Sequence, residues 1–254
     1  MYLNFLFIEK SLLNSKFTCM SKFYDNSVEL LRKLYYLRFT SPPILDCSEH
    51  FPDAPLFVDK WETISKEASS IIKNIQEVPQ FHELIKQYKE VFDKDGEEWR
   101  FFVLKAYGVE NKGNMKICPA TSSLVQSCPD VLSAGFSYMS PGKYIPRHRG
   151  PFRGETRFHL GLSVPKTADG KPGAGLMIND KKYIIKEGEP LLWDETYPHE
   201  AWNHSDDYRI VLLMDIRRRN MPFDMTVLSR LIIGVMKIMA RKKLGIFSEK
   251  EILG

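Results

Sequence analysis

Arg157-Phe158-His159-Leu160-Gly161-Leu162-Ser163-Val164 alternates polar or small residues with apolar ones. In a β-strand successive side chains point to opposite faces, so Phe158, Leu160, Leu162 and Val164 should share one face and Arg157, His159, Gly161 and Ser163 the other. The apolar set asks for a core. An arginine and a histidine on the opposite face are expensive to bury unpaired, so that face is either a lined cleft or plain solvent.

Working outward, the same short-strand character fills the second half of the chain. Residues 134–139, 175–179, 182–186, 190–193 and 209–216 read as strands. They are separated by turn signals at Pro141-Gly142, Gly170-Lys-Pro-Gly173, Asn179-Asp180 and Glu187-Gly188. Many short strands at close spacing predict a sandwich or jelly roll.

The first half carries the helical period. Residues 23–40 predict an aromatic, basic helix capped by Asn26 or Ser27 and ended by Ser41-Pro-Pro. From Leu56 to Asp93, Trp61, Ile64, Ala68, Ile71 and Ile72 fall on one helical face, and Pro79 parts them from a second helix over 81–91. Trp99 to Tyr107 reads as a strand, and a short helix lies between Cys118-Pro and Cys128-Pro. From Pro222 to about Leu244 an amphipathic helix carries Arg230, Lys237, Arg241, Lys242 and Lys243 beside a run of aliphatic residues. Such a helix can lie in a membrane interface or dock on the domain. The fold class is therefore α+β.

The totals exclude little but are consistent. With 254 residues, 43% apolar and 27% charged, the chain can bury a full core. A net charge of +4 does not argue for nucleic acid, and no recognised module does either. Cys19, Cys47, Cys118 and Cys128 lack Cys-x-x-Cys spacing and suit free thiols in a reducing compartment. The apolar start, residues 1–8, is too short to span a membrane and has no basic leader, so neither a signal peptide nor a transmembrane helix is expected.

His148, His159, His199 and His204 are four of the chain's six histidines. His148 and His199 sit at strand edges in Pro-bounded contexts, and non-adjacent strands can bring two imidazoles together around a metal. The usual 2-His-1-carboxylate triad would place Asp or Glu two residues after the first histidine, where Gly150 stands. Zinc hydrolysis would give Arg157 and Arg209 no role.

Several patterns occur together: Ser137-x-Met139-x-Pro141-Gly142, His148-x-Gly150-Pro151, Arg157-x-His159-Leu-Gly-Leu, Asp194-x4-His199-x2-Trp202 and Arg209 before an apolar strand. This set, over residues 95–220, resembles the aspartyl/asparaginyl β-hydroxylase family of Fe(II)- and 2-oxoglutarate-dependent dioxygenases. The resemblance implies a double-stranded β-helix (jelly-roll, cupin-like) core with N-terminal helices packed on it, and iron held by two histidines without a carboxylate. It implies His148 and His199 as the iron ligands, and Arg209, helped by Ser137, on the distal carboxylate of 2-oxoglutarate. Arg157 and His159 would lie near the other carboxylate, with Met139 lining the pocket and O2 as second co-substrate. Residues 1–50 would then be an extension, 51–221 the hydroxylase domain and 222–254 the C-terminal helix.

Trp99 to Gly108, Cys118-Pro, Asp194-Glu-Thr-Tyr and Asp215-Ile-Arg are similar to the bacterial branch that 2-hydroxylates acyl chains of lipid A and ornithine lipids. That branch often reads His-Arg-Asp-Pro where this chain has His148-Arg-Gly-Pro, and Gly150 is more like the branch acting on Asp or Asn in peptides. The expected substrate is a membrane-lipid acyl chain, with a peptide or amino-acid-like Asp/Asn side chain as alternative. The expected location is cytoplasmic, peripheral at the inner face of a membrane through the C-terminal helix. A catalytically silent β-sandwich is the non-enzyme alternative, and it predicts that Arg209→Ala and His148→Ala change nothing.

Overall fold

The computed structural model describes residues 26–84 and 96–248. Helix α1 is described over 26–38 and ends short of the expected 40, because the backbone leaves the helix ahead of Ser41-Pro-Pro; residues 23–25 of the expected helix lie outside the described residues. Strand β1 (Ile44–Leu45) and helices α2 (Cys47–His50), α3 (Ala54–Val58) and α4 (Trp61–Ser70) follow, and α4 runs into a 3₁₀ segment, Ile71–Glu77. Helix α5 is described over Phe81–Leu84, and the remainder of the expected 81–91 helix lies outside the described residues.

Strands β2 (Trp99–Ala106) and β3 (Val109–Glu110) precede helices α6 (Lys112–Ile117) and α7 (Pro119–Ser127). Pro119 opens α7, where its missing N–H costs nothing. Glu67 of α4 accepts from the amides of Ala120 and Thr121, placing a carboxylate on the positive end of α7.

Eight strands then wind between two facing sheets: β4 (Val131–Met139), β5 (Tyr144–His148), β6 (Glu155–Ser163), β7 (Ala174–Ile178), β8 (Lys181–Ile184), β9 (Pro190–Trp193), β10 (His199–Asn203) and β11 (Arg209–Arg217). The large sheet has the order β1-β9-β6-β11-β4-β2-β3 and the small one β5-β10-β7-β8, with antiparallel pairing throughout. Because the chain alternates between sheets, this is a double-stranded β-helix. A long helix, α8 (Phe223–Ser248), ends the described chain. Among the described residues no helix is long and apolar enough to cross a membrane.

The large sheet is buried on both faces. Its outer face, with Phe102, Phe136, Phe158, Leu160, Leu162, Ile210, Leu212 and Met214, packs under the helices against Phe57, Ile64 and Ala68. Each such side chain contributes about 1.5–3 kcal/mol. The inner face, with Trp99, Phe101, Met139, Val211 and Leu213, meets Ile145, Leu176 and Ile178 of the small sheet. So the alternation in 157–164 has a definite outcome. Its apolar set seals the helices, and Arg157 and His159 point between the sheets. Val164 is the exception: it packs with the inner cluster, beyond the end of β6 and past a register shift opposite Ile210/Val211.

Candidate active site

Two strands absent from the expected set carry the two histidines. Pro146 interrupts the strand signal in β5, and His-Glu-Ala-Trp-Asn of β10 has no β-branched residue. The expectation of non-adjacent strands is corrected here, because β5 and β10 are neighbours and His148 and His199 are direct cross-strand partners. Their rings lie 4.1 Å apart between centroids, inclined at 57°. The Nδ1 atoms sit 2.8 Å from the Pro146 carbonyl and 2.9 Å from the Tyr197 carbonyl. A carbonyl only accepts, so both Nδ1 atoms carry the proton and both Nε2 atoms carry the lone pair, as a metal-binding imidazole requires. Among the described residues no cluster of three or more His, Cys, Asp or Glu could hold a metal.

Trp193 packs edge-on against His199 at 4.5 Å and against His159 at 5.7 Å. Burial holds all three histidines neutral: His148 is pushed down to about 4, and His159 and His199 fall well below 6.5. For His199 the neighbouring His148 adds to the effect, and for His159 the Arg209 and Arg157 charges do. The sign for stability follows. Lowered folded values mean the unfolded chain takes up protons first, so this contribution is intact above pH 6.5 and is lost as pH falls toward 4. His148→Asn should therefore gain about 3 kcal/mol relative to the parent chain between pH 7 and pH 4, read from urea unfolding at each pH. A pH-independent difference would show that His148 takes up its proton as readily in the fold as in the unfolded chain.

Arg209 stands opposite. It is 2% exposed, its Nη1 meets Met139 Sδ at 2.6 Å, and its Nε makes no hydrogen bond within the protein. Burial alone lowers its pKa to about 10, with no carboxylate opposing the shift. Both ring nitrogens of His159 and the indole nitrogen of Trp193 also lack partners in the protein. Ser137 lines the same cavity, and its Oγ accepts from the Trp99 indole at 2.9 Å. The cavity is bounded by Trp99, Ser137, Ile145, His148, Arg157, His159, Leu176, Trp193, His199, Ala201, Arg209 and Leu213, and its empty volume is about 370 Å³, part of it open to solvent.

Arg157 differs from Arg209. Its Nη2 bridges Asp215 and Glu195 at 2.8 Å each, and its Nε donates to Asp215 at 3.0 Å. Burial works against its charge, but the carboxylates of Asp215, Glu195 and Glu155 outweigh it and raise the pKa. Burial pushes Glu195 up to about 7 and Glu155 well above the ordinary range. Sequence reasoning missed this acidic set. Its signal was parity: Asp215 shares the inward face of β11 with Arg209, and Arg157 and Asp215 are cross-strand partners.

Gly150 has a packing role. A Cβ there would lie 2.4 Å from the Glu195 side chain, and the Gly150 amide donates to the Glu195 carbonyl at 2.7 Å. The carboxyl group of Glu195 occupies the space into which a side chain at 150 would project. His204 lies apart from the site, stacked near Trp202 at 6.0 Å beside an outer groove.

The model of the aspartyl/asparaginyl beta-hydroxylase family matches residues 58–219. The ornithine lipid ester-linked acyl 2-hydroxylase of Rhizobium tropici is 33% identical over 200 residues, which is 78% of this chain and 69% of that protein. The aspartyl/asparaginyl beta-hydroxylase of Homo sapiens is 27% identical over 138 residues, 49% of this chain but 18% of that protein. Among solved structures, a Pseudomonas putida prolyl-4-hydroxylase aligns at a TM-score of 0.42 and 15% identity, covering 63% of this chain and 87% of the other. The family match runs from the end of α3 to just past β11 and takes in both histidines, both site arginines and every strand of the β-helix. This chain belongs to the aspartyl/asparaginyl β-hydroxylase family.

Proposed function

We propose that this chain is an Fe(II)- and 2-oxoglutarate-dependent dioxygenase that hydroxylates an acyl chain of a membrane lipid. Arg209 carries the reading. A guanidinium buried without a carboxylate is unstable by several kcal/mol, and a fold retains such a group where an anionic ligand completes it. A dicarboxylate with one end on Arg209 matches that fork bidentately.

The donor set suits the metal. His148 and His199 would hold Fe(II) through Nε2, and two protein ligands leave positions for co-substrate and oxygen. When bound, Fe(II) supplies the redox chemistry that couples decarboxylation of 2-oxoglutarate to hydroxylation of a C–H bond. Trp193 fixes the His199 ring by packing and keeps water from its face. Neutral His159, beside Arg209, can donate one N–H to a carboxylate oxygen. Arg157, already neutralised by Asp215 and Glu195, is better suited to orienting a ligand than to balancing its charge.

An acyl chain as substrate is supported by the resemblance to the Rhizobium protein, which spans more than two thirds of both chains. Gly150 had pointed toward the peptide-directed branch. Its packing against Glu195 explains the glycine without reference to substrate.

Anaerobic addition of Fe(II) and 2-oxoglutarate should give a weak visible charge-transfer band. His199→Ala should abolish it, and Arg209→Lys should weaken it. A normally folded parent chain with no band would end this reading in favour of a binding module.

A further inference from the structure

Every large apolar side chain that is more than half exposed among the described residues lies on α1 or α8: Leu30 and Leu37 on the first, Phe223, Leu231, Val235, Ile238 and Met239 on the second. Scattered exposed apolar residues are ordinary, but their confinement to two helices is not. The helices pack on each other. Tyr35 Oη and Ser229 Oγ are 2.7 Å apart, and Arg38 pairs with Asp224 at 2.7 Å, so α1 and α8 run antiparallel. Beneath them Tyr35, Leu132, Phe152, Met225 and Ile233 form a separate small core. Leu30, Leu34 and Leu37 recur at helical spacing on the outer side of α1, as do Phe223, Val227, Leu231 and Val235 on α8.

Charge decides what covers this face. Residues 26–38 and 223–248 hold eight Lys and Arg against Glu29 and Asp224, a net of +6, whereas the whole chain is +4 and the remainder therefore −2. Both acids are already paired, Glu29 with Arg32 at 2.9 Å and Asp224 with Arg38. A second copy would bring one pair of helices of net +6 against another, which repulsion opposes. An anionic lipid surface offers apolar depth and negative headgroups together.

We propose that α1 and α8 form one composite face that seats the chain on an anionic membrane. The functional meaning of that face rests on the acyl-chain reading above, which it deepens. Helix α1 also braces the two loops beside the histidines. Arg32 Nε donates to the Gly150 carbonyl at 3.0 Å just after His148, and Tyr36 Oη donates to the Thr196 carbonyl at 3.3 Å just before His199. The docking helix is thus the helix that holds the site's rim.

Flotation of the full chain with vesicles of phosphatidylglycerol mixed into phosphatidylcholine tests this, against phosphatidylcholine alone and with added salt. Binding should require phosphatidylglycerol and weaken with salt. The solvent-facing pairs Leu34→Glu/Leu37→Glu and Leu231→Glu/Val235→Glu should each lower it by roughly tenfold or more. If the α1 pair binds like the parent, the composite face is wrong. If the parent does not float, or forms a concentration-dependent dimer that Leu231→Glu/Val235→Glu abolishes, membrane docking is wrong. The Fe(II)/2-oxoglutarate band, measured on the same proteins, should be unchanged by both pairs. Its absence in the parent would overturn the dioxygenase reading separately.

Discussion

Arg209→Met should bind 2-oxoglutarate at least ~100-fold more weakly than the parent chain while its ligand-free form melts at a higher temperature. The opposite signs come from one cause. In the free protein Arg209 is a buried cation whose Nε has no partner and whose pKa burial lowers to about 10. Methionine has similar length and no charge to desolvate, so ligand-free stability should rise by about 1–3 kcal/mol, or roughly 2–10 °C in a domain of this size. With ligand present, the same substitution removes the fork that a carboxylate needs, at a cost of about 3–5 kcal/mol. Anaerobic titration calorimetry with Fe(II) and scanning calorimetry of the apoprotein read the two halves. Undiminished affinity in the variant would remove Arg209 from the site, and with it the main support for a dicarboxylate co-substrate.

Asp194→Ala should be the most damaging single substitution in the loop that leads into His199. Asp194 is fully buried; its Oδ1 accepts from the amide and hydroxyl of Thr196 at 3.0 and 2.6 Å. Its Oδ2 lies 3.1 Å from Arg153 and 2.8 Å from Arg218, both almost fully buried. These are contacts at ion-pair distance without hydrogen-bond alignment, so what they contribute is charge balance. Removing the carboxylate leaves two buried guanidinium groups facing each other, a loss of about 3–5 kcal/mol and a fall in Tm of roughly 10 °C. Arg147→Ala, which breaks the exposed pair with Asp180, should shift Tm by little more than the error. If Asp194→Asn melts like the parent, the charge of Asp194 is not what holds the loop. If it melts lower and also binds Fe(II) more weakly, the loop sets His199 as well as the fold.

The site residues were legible to different degrees, for local reasons. His148, His199, Arg157, His159, Arg209, Ser137 and Met139 all appear in motifs, and the structure gathers them on the facing sides of two sheets. Glu195, Asp215 and Glu155 were invisible as a group because no spacing links them. They converge only when β6, β11 and the 194–197 loop are packed together. The packing role of Gly150 was not legible, since it depends on a side chain 45 positions away in sequence.

Alternation along 157–164, turn residues between short strands and the apolar stripe of α4 were sufficient by themselves for an α+β chain with a sandwich or jelly-roll core, and the family resemblance alone implied the double-stranded β-helix. Those signals are local, each being a period that one element must satisfy to bury one face. Only the tertiary structure decided which face went where. The apolar residues Phe158, Leu160 and Leu162 turned outward to the helices, leaving Arg157 and His159 to line the space between the sheets. It also decided that one arginine is neutralised and the other is not. The two arginines read alike in the sequence. Asp215 and Glu195 surround Arg157, and nothing acidic reaches Arg209, because charge compensation depends on distances across strands that no local pattern encodes.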